Sequence, residues 1–411
     1  MHSSLPACFS VVLTLAVSNL ALGGDWPQIL GSQRNGVSEE RLPEKFPADG
    51  PRTAWSVKIG QGYAGPVVQG DKVIVFHRAD DTERVECLAT KSGQRIWKTD
   101  FPAIYRGGVD ADIGPRCVPL ISGDRVFVYG AAGSCHCLDL ATGKAIWSRE
   151  LARDYAAPDG YFGAGSTPIL IGERLLMNVG GRKAGIVGLD AASGETAFAV
   201  TKELASYSSP TSYAKGTQAL FITRLNVVSV DPVRGEAKVL FPFGRTGPTV
   251  NAAVPLVIND QVFVTASYSV GGMLKSLTKP DAPVVWENDD SLSSQYSTPV
   301  LCDGYLYGIH GREDIPPAHL RCVELKTGKV MWSRDEFGVA HPILAGDKLL
   351  LLTVEGELVL AMASPKEYRE LSRTRVASGI TRALPALANG RFYFRTNADG
   401  TGELKCLVLS E

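Results

Sequence analysis

Short apolar strands separated by polar turns recur along this chain in one fixed order. A strand that opens at a proline runs into a tight Gly/Asp turn. A strand of alternating apolar positions follows, then a third strand, a turn ending in glycine, and a strand bearing an aromatic residue. Period-two alternation marks strands with a buried face. The unit-opening prolines are Pro66, Pro119, Pro168, Pro210, Pro255, Pro299, Pro342 and Pro385, spaced 42–53 residues apart. Eight units at this period predict an all-β, eight-bladed β-propeller of four-stranded antiparallel blades.

The closing turn is the sharper signal. It reads SGQRIW (92–97), TGKAIW (142–147), SGETAF (193–198), RGEAKV (234–239) and TGKVMW (327–332). Glycine suits a hairpin position with positive φ. The residue four beyond it is Trp97, Trp147, Phe198, Val239 or Trp332, and Trp286 holds the comparable place in the fifth unit. On an outermost strand such an aromatic fills space between neighbouring blades. Six residues before each glycine stands a small residue: Cys87, Cys137, Gly188, Ser229 or Cys322, with Cys406 in the matching strand of the last unit. A slot that takes Cys, Gly or Ser is a size constraint, so these cysteines read as buried packing residues.

The last unit supplies three strands, near 382–388, 391–397 and 403–409. Its missing outer strand should carry a tryptophan, and RTAWSVK (52–58) provides Trp55 just before the first unit. The strand around Trp55 is therefore expected to pair with the strand around Cys406 and close the ring, leaving no sheet edge at the seam. The expected organisation is a signal peptide over 1–24, a leader over 25–50 and one propeller domain over 51–411.

Composition narrows the setting. The 42 Lys+Arg and 43 Asp+Glu leave a net charge of −1, no basis for nucleic-acid binding. With 45% hydrophobic residues, wholesale disorder is excluded. The apolar run Leu5–Leu22 followed by Gly23 and Gly24 reads as an export signal, and no later run is long enough to span a bilayer. Cys8 stands near the start of that run and ahead of its VVLTLAVSNLAL centre, not after it, so lipid attachment is not expected there. The other seven cysteines are an odd number without zinc-like spacing; Cys117, Cys135 and Cys302 fall outside the small-residue slot.

Strand parity locates the candidate site. The first-to-second turns are uniformly tight. The long segments 100–114, 151–164 and 243–250 join blades, and 77–84, 179–185 and 310–318 join second to third strands. All of these reach the same face, where binding loops on a rigid scaffold are usually found. The residues just before each opening proline surround the channel mouth there: Tyr63, Arg116, Ser166, Ser208, Asn251, Tyr296, His341 and Arg382. This polar ring could hold an anionic or sugar-like ligand. Asp110 with Asp112, and His310 with His319, lack a third metal ligand in register and are read as ordinary polar residues. No triad or phosphate loop is present.

The Leu-Asp-x-x-Thr-Gly-Lys-x-x-Trp string at Leu138–Trp147, its looser copies, and Asp25-Trp26-Pro27-Gln28 with Gly31 and Asn35-Gly36-Val37 resemble the pyrroloquinoline-quinone (PQQ) repeat of quinoprotein-dehydrogenase-like and BamB-like propellers. The resemblance covers 25–411. It implies the propeller fold and makes PQQ with calcium a possible cofactor, but one fold serves enzymes and scaffolds alike. The chain has no adjacent Cys-Cys pair and no Cys-x-x-Cys-His haem string. The expectation is an exported, non-catalytic, monomeric propeller that binds a small polar ligand or a protein partner of the envelope or secreted space through its loop-rich face. The alternatives are a PQQ-dependent alcohol or sugar dehydrogenase and a cell-envelope scaffold of the outer-membrane protein assembly type.

Overall fold

The computed structural model describes residues 24–410 except 248, 280 and 399; the expected signal peptide, apart from residue 24, lies outside them. The described strands form eight blades, each with four antiparallel strands, and one blade gains a fifth from the leader. A short helix, Leu151–Tyr155, interrupts one blade-to-blade connection. Seven innermost strands begin directly after an opening proline, as in Val67–Gln69, Leu120–Ser122 and Ile169–Ile171, and the eighth, Ala340–Ala345, contains Pro342. Proline has no N–H to donate, so it suits a strand start.

The middle strands are buried on both faces, as in Lys72–Ala79 and Lys348–Thr353, because each blade is sandwiched between two others. Their sequences accordingly read as near-continuous apolar runs. Outer strands such as Glu236–Pro242 stay largely exposed.

The outer-strand aromatics fasten each blade to the next. Trp97 lies over Gly143, where an added Cβ would sit 2.3 Å from the ring, and its indole N–H donates to the Leu140 carbonyl at 3.0 Å. Trp147 repeats this with Gly194 and Ala191, and Trp286 with Gly328 and Leu325. Glycine is therefore required twice at these turns: φ is +72° at Gly143 and +75° at Gly194, and the indole occupies the Cβ position. The small-residue slot is the aromatic's cross-strand neighbour. Cys87 pairs with Trp97, Cys137 with Trp147, Gly188 with Phe198 and Cys322 with Trp332. All seven cysteines among the described residues are free, and burial raises the thiols of Cys87, Cys137 and Cys322 to about 12.

Ring closure follows the same rule. Arg52–Ile59 pairs antiparallel with Thr401–Val408, and Trp55 faces Cys406. The Trp55 indole donates to the Thr90 carbonyl at 2.8 Å and covers Gly93, so the seam is chemically one more inter-blade joint.

Two features depart from expectation. The connection between Gly271–Ser276 and Trp286–Asn288 is long and joins third to fourth strand, on the tight-turn face, so not every long loop lies on the opposite one. The fifth unit lacks the glycine hairpin that keeps this turn short in the first four blades and the sixth, as does the seventh, whose connection spans 363–369. The leader also does more than precede the ring. Trp26 bridges to Val68, Val37–Ser38 pairs in parallel with Leu344–Ala345, and the Gly390 N–H donates to Glu40 at 3.0 Å. Between these anchors Ile29 and Leu30 pack against Ala64, Val118 and Val254 in the channel, sealing its tight-turn end. Arg34 enters the same space and donates to the carbonyls of Pro168 and Pro210.

Candidate functional site

The loop-rich end of the channel opens into a cavity of about 690 Å³ with Ile29 of the leader among its lining residues. Its walls come from residues that precede the inner strands, together with the connections around 109–111 and 313–314. Five of the predicted mouth residues line it: Tyr63, Arg116, Tyr296, His341 and Arg382. Ser166, Ser208 and Asn251 do not.

The reason is strand alternation. At each of these positions the flanking residues, such as Thr167 and Ser209, reach the cavity instead. Ser166 turns sideways and donates to the Ser208 carbonyl at 2.8 Å, and Ser208 donates to Ala253 at 2.7 Å. Ser297 makes the same link to Ala340 at 2.6 Å. Main-chain N–H groups of Val118, Thr167 and Val254 likewise donate to the next blade, to the hydroxyls of Thr167, Ser209 and Thr298, each at 2.9 Å. The Ser-Ser/Thr-Pro triplets are thus inter-blade stitches that satisfy buried main-chain groups. Asn251 faces a second, off-axis cavity.

At the mouth the charged groups answer one another. Arg382 forks onto Glu313, with Nε at 2.9 Å and Nη2 at 2.8 Å, and gives its third edge to Asp110 at 3.0 Å. The Tyr296 hydroxyl donates to Glu313 at 2.5 Å, and the Tyr63 ring lies 4.9 Å from the Arg382 guanidinium. Burial pulls the Arg382 guanidinium down, but Glu313 more than offsets this and holds it above its ordinary value. Burial and then Glu313 push the Tyr296 phenol well up, and burial raises Tyr63 to about 12. Arg116 stacks between Tyr63 and Tyr105 and pairs with Asp112 at 3.4 Å. Asp112 also accepts from Gly62 N–H at 2.9 Å and from Asn397 at 2.8 Å. The two aspartates are therefore partners of guanidiniums and amides.

His341 is buried, and burial lowers its imidazole to about 4. Its Nε2 lies 2.7 Å from the Arg382 carbonyl, which can only accept, so Nε2 carries the proton. Nδ1 is left as an acceptor without a protein partner. His310 and His319 are cross-strand neighbours with ring centroids 6.1 Å apart; the Asp335 carboxylate lies 3.0 Å from His319 Nδ1, and among the described residues no group of three ligands could hold a metal.

This arrangement was legible in part. The prolines locate the mouth, but Asp110, Glu313, Tyr207 and Tyr268 arrive from loops whose approach no local pattern encodes. Arg382 is saturated by carboxylates, so an anion there would have to displace Glu313; Arg116 is held by Asp112 and by the carbonyls of Asp112 and Gly114, with its buried Nε left unpartnered. The mouth does not fit a quinone held with a divalent cation. Among the described residues no cluster of three His, Cys, Asp or Glu side chains could hold a metal, and no indole lines the cavity.

A family profile described as outer membrane protein assembly factor BamB matches residues 81–334. A protein of that name from Yersinia pestis is 21% identical over 416 residues, with 93% of this chain and 90% of the relative covered. One from Moranella endobia (strain PCIT) is 22% identical over 293 residues, covering 66% of this chain and 69% of the relative. Among solved structures, BamB from Moraxella catarrhalis superposes with a TM-score of 0.61 at 16% identity, covering 86% of this chain and 97% of that one. A europium-containing methanol dehydrogenase gives 0.70 at 11% identity, covering 93% and 98%. At such identities the structural likeness establishes the propeller alone.

Proposed function

The chain belongs to the family described as outer membrane protein assembly factor BamB, and from that premise we propose that it is a non-catalytic scaffold of the cell envelope, exported by its first 24 residues, that docks a protein partner engaged in outer-membrane protein assembly on its loop-rich face. The observation that carries this reading is where the exposed apolar side chains lie. Ile104, Val109, Tyr161, Leu204, Leu225, Ile315 and Ile380 all belong to connections on that face; Val109 is 73% and Ile315 61% exposed. The tight-turn face contributes fewer: Val233, Val285 and, in the leader, Val37. Apolar residues crowning a mouth whose charges are already matched favour contact with another protein over capture of a small anion.

The test is co-purification from native envelopes. The double substitution Val109→Glu with Ile315→Glu should abolish recovery of assembly partners, while Ile96→Glu with Ile146→Glu on the outer strands should leave it intact. Equal recovery by both double variants contradicts the reading.

A further inference from the structure

Away from the channel axis, where blades two, three and four meet on the loop-rich side, lies a separate cavity of about 370 Å³. Asn178, at the end of Arg174–Asn178, and Asn251, in the connection leading to the fifth blade, both line it. Each is almost fully buried, and each has an amide oxygen with no hydrogen-bond partner. Their orientations are fixed. The Asn251 amide nitrogen donates to the carbonyls of Thr223 at 3.1 Å and Arg224 at 3.2 Å, and that of Asn178 donates to Ile222 at 3.4 Å. Flipping either amide would set oxygen against carbonyl oxygen. Two buried acceptors therefore stay unsatisfied on residues that line this cavity, a departure from the usual pairing of buried polar groups.

The rest of the lining defines what could satisfy them. Arg224 has its guanidinium tied to the Thr249 hydroxyl at 2.8 Å and to the main chain at 247 and 249. Asp159 sits exposed at the rim, so cation and anion balance. Tyr207 already accepts from the Phe162 N–H at 2.9 Å, and its ring divides this cavity from the mouth. What remains is apolar wall, the two amide acceptors and the Tyr207 hydroxyl proton, a lining that suits a compact uncharged group able both to donate and to accept.

We propose that this cavity is a binding site for an uncharged amide-bearing group, as carried by a peptide main chain or a carboxamide. The site stands independently of the docking reading above. It is tested on the full exported chain with N-acetylalaninamide as probe and sodium acetate, which has no donor, as control, following the side-chain amide NMR signals of Asn178 and Asn251. The expected result is a saturable shift of both signals with the amide and none with acetate. Asn178→Leu, which removes one acceptor, should weaken binding about tenfold. Should that variant fold poorly, Ala132→Trp, which fills the cavity from a half-buried loop position, should abolish the shift. Glu313→Gln at the mouth should leave it unchanged. A non-saturating response means that ordered water alone occupies the cavity and overturns the proposal. So does an equal response to acetate, or unchanged affinity in either cavity variant.

Discussion

The two ends of the central channel are built from the two ends of the same inner strands, yet they reach opposite solutions. At the tight-turn end one continuous segment does the work: Trp26, Ile29, Leu30 and Arg34 arrive in sequence and close the channel with apolar packing and main-chain hydrogen bonds. At the loop-rich end Tyr63, Asp110, Arg116, Glu313 and Arg382 come from separate connections and neutralise one another around an open cavity. Their guanidiniums differ accordingly. Arg34 is fully enclosed, has only oxygens of uncharged groups as acceptors, and is lowered by burial to about 9. Arg382 is partly exposed and paired with two carboxylates. The sealed end is structural, and the open end is the one left free to meet a partner.

The largest effect should come from removing the sealed end. Deleting residues 25–58 strips both the plug and the closing strand; loss of Trp55 alone costs about 3–5 kcal/mol, so the truncated chain should lose cooperative thermal melting. An unchanged melting temperature would contradict the role of the seam. Arg34→Ala is the narrower version. It strands carbonyl acceptors and opens a void, for an expected loss of about 2–4 kcal/mol in denaturant unfolding.

Acidification probes the buried titratable groups outside the plug. Burial holds His341 and His136 at about 4, below the ordinary imidazole value of 6.5. The unfolded chain then binds protons more readily between these values, so their contribution is present above pH 6.5 and lost as pH falls towards 4. Glu83, raised by burial to about 7, works in the opposite sense: its contribution is complete below its ordinary value of 4.5 and lost as pH rises through 7. Burial lowers His310 to about 4 as well, so three histidines against one carboxyl leave a net loss of roughly 3–5 kcal/mol on acidification from pH 6.5 to 4, measurable by denaturant titration at each pH. Stability that rose over this range would refute the assignment.

Effects at the open end should be smaller. Glu313→Gln removes one carboxylate from partly exposed Arg382 and should cost about 1 kcal/mol. The rim substitution Val109→Glu should change stability by no more than about 0.5 kcal/mol while removing partner contact. A large loss of stability there would make the rim structural and erase the contrast between the ends.

The same contrast explains what could be read from sequence. The blades, the Trp–Gly joints and the pairing of Trp55 with Cys406 follow from local spacing, because each joint is made by a fixed offset within one repeat. Ser166 and Ser208 were misplaced because a one-residue change in strand phase decides between channel and neighbouring blade, and loop residues carry no period from which to set that phase. The path of Ile29 and Arg34 through the channel depends on contacts with blades far away in sequence. Asp110 and Glu313 meet Arg382 only after the ring has closed.

The most direct test of the account places a photo-crosslinking amino acid at Val109 on the loop-rich face and, separately, at Val233 on the tight-turn face, in the native host. Crosslinks to outer-membrane assembly proteins from position 109 and none from 233 are the predicted result. Crosslinks from 233 with none from 109 would contradict it.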